Sequence, residues 1–118
     1  MTEALPLDIE LLDESFEIDA EGLRELIDMY FVQAEESIAG LEAAIEDGRS
    51  DDVRHLAHKL AGSSAVCGAT AMIGPLRTLE RQGRENQLSD AETLVATITQ
   101  RLELCRRLLD EYLEQKGI

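Results

Sequence analysis

Residues 19–48 read DAEGLRELIDMYFVQAEESIAGLEAAIEDG. Within them Leu23, Leu26, Ile27, Tyr30, Phe31, Ala34, Ile38, Leu41 and Ile45 recur at the i, i+3, i+4, i+7 spacing that lines one face of an α-helix for about six turns. Asp19 suits the N-cap, where a short carboxylate accepts from an orphan amide of the first turn. Asp47-Gly48 suits the stop, because glycine takes the left-handed backbone that ends many helices. An amphipathic helix of this length must bury its apolar face, so the fold depends on what lies beside it.

The flanking segments have the same period. Leu7, Ile9, Leu11, Leu12 and Phe16 predict a short helix over about Leu7 to Ser15, with a break near Asp19. Ser50 is the expected cap of a third helix, with Asp51 and Asp52 in its positive first turn. Its apolar stripe is Val53, Leu56, Ala57, Leu60, Ser64 and Cys67, and Gly68 marks a break. A fourth helix carries Met72, Ile73, Leu76 and Leu79 and stops near Gly83. Pro75 either kinks it or sits in its first turn, which would start the helix at about Gly74. Ser89-Asp90-Ala91-Glu92 matches a capping box for a fifth helix, whose stripe is Leu94, Val95, Ile98, Leu102, Cys105, Leu108 and Tyr112.

Strand signals are absent, and loops of about two to six residues favour antiparallel neighbours. The predicted fold class is all-α: an up-and-down antiparallel four-helix bundle with a short additional N-terminal helix, one domain over residues 1–118. One bundle uses up the stripes and no heptad seam is left over, so a monomer is expected. Ser64 lies on the core stripe and is expected to bond back to a backbone carbonyl.

Charge narrows the function. Eleven Lys and Arg face 25 Asp and Glu, for a net charge of −14. Such a chain repels nucleic acid and anionic membranes. No apolar run is long enough to span a bilayer, and the acidic start Met1-Thr2-Glu3-Ala4-Leu5-Pro6 has no basic apolar leader. Cys67 and Cys105 read as two buried thiols. A cytoplasmic protein is expected, and Met1 with a self-contained bundle points to a free-standing one. The charge is also uneven. Residues 49–84 hold Arg49, Arg54, Lys59, Arg77, Arg81 and Arg84 against Asp51, Asp52 and Glu80, a net of +3 on an otherwise acidic body.

Both histidines lie in this basic island. At about 100° per residue from Val53, the third helix has its stripe centred at about 350°, with His58 at about 140° and His55 at about 200°. Both therefore point outward. Ala61, Gly62 and Ala65 follow His58 by three, four and seven residues. These small residues leave its face open to a partner, and the glycine costs about 1 kcal/mol relative to alanine within a helix. The plain alternative is an exposed histidine beside an accidental glycine. A metal site would need His55 and His58 to share an ion with Asp51 or Asp52. The Glu-x-x-His spacing of di-metal bundles is absent, so no metal is predicted. No Gly-rich phosphate loop or Walker-type lysine is present either.

The segment Ala57-His58-Lys59-Leu60-Ala61-Gly62-Ser63-Ser64-Ala65-Val66-Cys67-Gly68-Ala69 resembles the signature of histidine-containing phosphotransfer (HPt) domains. The long second helix, the Asp-Gly turn, the Ser-Asp-Asp entry and the Leu79-Glu80 pair extend the resemblance over most of the chain. It implies a helical bundle whose exposed histidine, here His58, relays a phosphoryl group between response-regulator receiver domains. A neutral imidazole is a competent nucleophile near pH 7, and phosphoryl transfer needs chiefly positioning and charge neutralisation. The implied partners are receiver domains and a hybrid histidine kinase. The receiver would bring the aspartate, the Mg²⁺ and a lysine, so no cofactor of the chain's own is expected. The chain reads as a phosphocarrier and not a kinase.

One departure stands out. The family commonly has lysine three residues after the histidine, where this chain has Ala61. Lys59 points about 100° away from His58 and Arg54 only about 40°. Arg54 and Arg77, the latter from the fourth helix, are therefore the candidate phosphoryl-stabilising cations. Arg54, His55, Lys59, Ala61, Gly62 and Ala65 form the expected receiver contact. Ser63, about 140° from His58, is not expected to touch it. The competing function is a receiver-binding module without phosphotransfer.

Overall fold

The computed structural model describes residues 6–118. Five α-helices follow in order: α1 (Ile9–Ile18), α2 (Ala20–Glu46), α3 (Ser50–Val66), α4 (Ile73–Arg84) and α5 (Ala91–Lys116), with a 3₁₀ turn over Thr70–Met72 before α4. Neighbours pack as α2 on α3, α3 on α4, α4 on α5 and α5 on α2, which closes an antiparallel four-helix ring, while α1 lies against α2. No strand occurs among the described residues, and none of their helices is long and apolar enough to cross a membrane. The residues of the expected leader-free start lie mostly outside the described range.

α2 forms as its sequence predicts. Asp19 Oδ1 accepts from the Gly22 amide at 3.0 Å, and Gly48 ends the helix at φ 69°. Its buried face is narrower at one edge than expected, since Leu26 is exposed, and Ser37 and Ala44 join it. α1 starts two residues later than predicted because Asp8 caps it, accepting from Leu11 N–H at 3.2 Å. It then runs on to Ile18. Tyr112 donates to Asp13 Oδ1 at 2.7 Å and thereby ties α1 to α5.

Two predicted caps do not form. Ser50 is the first helical residue of α3 and not its cap, and its hydroxyl donates to Asn86 Oδ1 in the loop after α4. α5 begins at Ala91 with no side-chain cap from Asp90. That start is one residue too late for Ser89 and Glu92 to exchange bonds, so Glu92 contributes only a favourable first-turn charge. The α5 core stripe also includes Leu109 and Leu113.

Pro75 occupies the first turn of α4, where a missing amide costs no helical bond. α4 ends at Arg84, in agreement with the expected stop near Gly83. The role of Gly83 is close approach: a Cβ there would lie 2.6 Å from the Arg54 nitrogen and 2.8 Å from the Ser50 carbonyl oxygen. The backbones of α3 and α4 therefore nearly touch.

Leu12, Ile27, Leu41, Val53, Leu60, Met72, Leu76, Leu79, Ile98 and Leu109 are fully buried in a core shared by all five helices. Ser64 departs from expectation there. Its hydroxyl pairs with the Tyr30 hydroxyl at 2.6 Å, so two buried polar groups satisfy each other across α2 and α3. Cys67 and Cys105 are free and buried, and burial pushes both thiols up to about 11.

Candidate functional site

His58 stands on the outer surface of α3 with its side chain 63% exposed. Arg77, Glu80 and Arg84 of α4 share one helical face by their i, i+3, i+7 spacing, and the contact at Gly83 brings that face to His58. His58 Nδ1 lies 2.9 Å from Glu80 Oε2. Glu80 Oε1 accepts from Arg77 Nη1 at 2.8 Å, and its Oε2 accepts from Arg84 Nη2 at 3.4 Å. The Glu80 side chain is only 10% exposed, yet three donors answer its two oxygens. The Arg77 guanidinium, helped by the His58 ring and opposed by burial, holds the Glu80 carboxyl below its usual range.

Arg77 Nη1 also lies 3.3 Å from His58 Nδ1. The two contacts at Nδ1 compete. A guanidinium only donates, so Arg77 would need a lone pair on Nδ1, whereas a carboxylate only accepts and needs Nδ1–H. The contact to the ionised carboxylate, at 2.9 Å against 3.3 Å, is the shorter and charge-assisted one and prevails. The proton therefore resides on Nδ1. Nε2 then carries the lone pair, on the far edge of an exposed ring. The arrangement presents one oriented nitrogen nucleophile, with a carboxylate behind it and two arginines beside that carboxylate.

The other predicted site residues divide. His55, Lys59, Gly62 and Ala65 are exposed, and a Cβ built on Gly62 meets nothing within 4 Å. Ser63 hydrogen-bonds Lys59 O at 3.2 Å and Gln33 Oε1 at 3.3 Å. Arg54 pairs with Asp51 at 3.0 Å and makes no bond to the His58 ring. Ala61 is fully buried, so its side chain cannot belong to the contact surface expected of it. The apolar period of α3 alone predicts a single buried stripe. In the structure α3 is covered on two flanks, by the core and by α4, and Ala61 shares the second flank with Arg54, seven residues before it.

Sequence reasoning missed two features. The sequence places Glu80 in the basic island and in the Leu79-Glu80 pair of the resemblance, and gives it no role at His58. Its clue, two arginines spaced around one glutamate on an amphipathic helix, names no target. The second feature is a groove of about 180 Å³ between α2 and α3, lined by Leu26, Met29, Gln33, Ser63 and Val66 among others. On α3 its lining runs from Ser63 to Cys67. Met29 and Val66 are 70% and 61% exposed. Scattered exposed apolar side chains are ordinary, but a contiguous set marks a contact surface.

Three comparisons with known proteins bear on this geometry. The family model for the Hpt domain matches residues 25–115. No curated protein matches the chain significantly. Among solved structures, the crystal structure of histidine-containing phosphotransfer protein B (HptB) from Pseudomonas aeruginosa PAO1 superposes with a TM-score of 0.89 at 26% identity, over 96% of this chain and 98% of that one.

Proposed function

The chain belongs to the Hpt domain family, whose activity is histidine phosphotransfer in phosphorelays, and on that premise we propose that His58 accepts a phosphoryl group from the aspartyl phosphate of a receiver domain and passes it to another. The observation that carries this reading is the Nδ1 contact to Glu80 at 2.9 Å, which leaves Nε2 as the nucleophile. The Nε2 lone pair attacks phosphorus in line, an N–P bond forms, and the P–O bond to the receiver's aspartate breaks, releasing its carboxylate. The Nδ1 proton stays in place, so the ring gains positive charge in front of Glu80. In the onward step the ring leaves as neutral imidazole and that charge vanishes. Little further machinery is needed, because this chemistry rests on positioning and charge neutralisation.

Arg77 takes the part that the family's lysine has where this chain has Ala61. It is half exposed and nearest to the ring, whereas Asp51 engages Arg54. When Arg77 turns from Glu80 toward a phosphoryl oxygen, Arg84 still pairs with the carboxylate. The receiver docks over His58, Gly62 and Ala65 and extends into the α2–α3 groove beside Met29 and Val66. The divalent cation comes with the receiver, and this chain contributes no cofactor of its own. A hybrid histidine kinase stands upstream, the carrier works in the cytoplasm as a monomer, and it does not phosphorylate itself from ATP.

The test is transfer from a phosphorylated receiver domain to wild type and to His58→Gln. Label on wild type alone, labile to acid and stable to base as a phosphoramidate is, is the expected result. Label on neither protein across several receivers that nonetheless bind would overturn the relay and leave a receiver-binding module.

A further inference from the structure

The face of the bundle opposite His58 carries another groove. His58 and Glu80 join α3 to α4, and in the closed ring α2–α3–α4–α5 the pair opposite is α2 with α5. There an open groove of about 670 Å³ has Ile45 and Val95 on its floor and Glu42, Glu46 and Glu92 on its rim. It continues into a smaller trough of about 210 Å³, where Ile38 and Leu102 replace the floor and Glu35, Glu103 and Arg106 the rim. Glu42 and Thr99 line both. Exposed Ala39 and Ala96 set no bulk above the floor. Among the described residues Glu35 alone of these five glutamates forms an ion pair, with Arg106 at 3.0 Å.

We propose that this groove docks one amphipathic helix of a partner protein, with an apolar stripe flanked by Lys and Arg. The argument is complementarity. A floor of Ile, Val and Leu rewards apolar side chains, and the four rim carboxylates other than Glu35 form no ion pair with a cation among the described residues, so the rim selects cations and speeds encounter. From Glu35 to Glu46 the groove runs about 16 Å, the length of roughly three helical turns. An anionic membrane would meet the same carboxylates and be repelled. Because the groove and His58 occupy opposite faces, a protein held here leaves the histidine free. The carrier can then be tethered while a receiver exchanges its phosphoryl group. This inference does not depend on the phosphotransfer reading and is testable on the unphosphorylated chain.

The probe is a synthetic amphipathic Leu/Lys peptide of about three to four turns, compared with a scrambled peptide of equal charge, and monitored by amide chemical shifts and calorimetry. Saturable one-to-one binding is expected, with shifts centred on Ala39, Ala96 and Thr99. The scrambled peptide should bind about ten-fold more weakly or worse. Ala96→Gln fills the groove without changing charge at an exposed helical position. It should weaken peptide binding by about ten-fold and leave transfer from a receiver unchanged. Equal binding of both peptides, with shifts spread over the whole acidic surface, would reduce the groove to general charge attraction and overturn the proposal. Concentration-dependent shifts at the same residues without peptide would overturn it too, by making a second copy the occupant.

Discussion

Replacing Glu80 with glutamine tests the chemistry at its most specific point. The amide keeps the size of the side chain and can still accept from Nδ1–H, so the change removes chiefly the charge. During attack by Nε2 the ring acquires positive charge, about 5 Å from the centre of the carboxylate on the geometry of a 2.9 Å contact. At an effective dielectric near 20, that attraction is about 3 kcal/mol. His58 is 63% exposed, and water screening reduces this by about half or more. The difference between a charge-assisted and a neutral hydrogen bond also comes to about 1–1.5 kcal/mol. Transfer should therefore slow by about ten-fold, measured by rapid quench from a phosphorylated receiver. ¹⁵N shifts of the ring supply a readout that a purely structural role would not move. Wild type should show a predominant Nδ1–H tautomer, and Glu80→Gln a mixture. Stability against pH gives a further check. Because the folded-state carboxyl titrates lower than its ordinary 4.5, Glu80 contributes stability that is present above that pH. It is lost as pH falls through the lowered value, so the variant should show a flatter acid limb in that window. A folded Glu80→Gln that transfers at the wild-type rate with an unchanged tautomer would refute the assignment of Nε2 through Glu80.

Four further substitutions probe separate parts of the site. Gly62→Leu should fold with equal or slightly greater helix stability, since nothing lies within 4 Å of its Cβ and glycine costs about 1 kcal/mol in a helix. It should nonetheless abolish receiver binding in a pull-down or titration. Gly83→Ala drives a Cβ into backbone atoms of α3; it should cost about 1–3 kcal/mol in denaturant unfolding and also weaken the His58–Glu80 contact. Arg77→Ala should slow transfer by about ten-fold or more, whereas Arg54→Ala, which removes only an exposed pair with Asp51, should leave the single-turnover rate within about two-fold.

Much of the fold is legible in one-dimensional order because long helices write their period repeatedly. α2 states its face over its whole length and marks both ends with residues that act locally, Asp19 and Gly48. The caps that fail do so for tertiary reasons. Ser50 has a competing acceptor in Asn86, thirty-six residues away, and a one-residue shift at α5 undoes the Ser89–Glu92 reciprocity. Ser64 likewise finds Tyr30 instead of its own backbone. His58 could be found because outward direction and small neighbours are properties of a single helix. Glu80 could not, because its role exists only once α4 lies against α3, and no local period records that distance.

The substitution at Ala61 and the glycine at position 83 are two parts of one packing solution. Ala61 is wholly buried on the flank of α3 that also carries Ser50 and Arg54, and Gly83 touches the backbone at those two residues. Small side chains on both partners let the helices close until side chains on α4 reach the ring on α3. A lysine at 61 would have to thread its stem out of that closed seam or hold α4 away, and either would disturb the 2.9 Å contact at Nδ1. The approach that excludes a cation from α3 is the same approach that delivers Arg77 and Glu80 from α4. On the proposed reading, the seam accounts for a cation supplied by α4 in place of one at position 61. The double variant Ala61→Lys with Arg77→Ala should consequently fail to restore transfer, and full restoration by that pair would show that the two positions are interchangeable and the seam irrelevant.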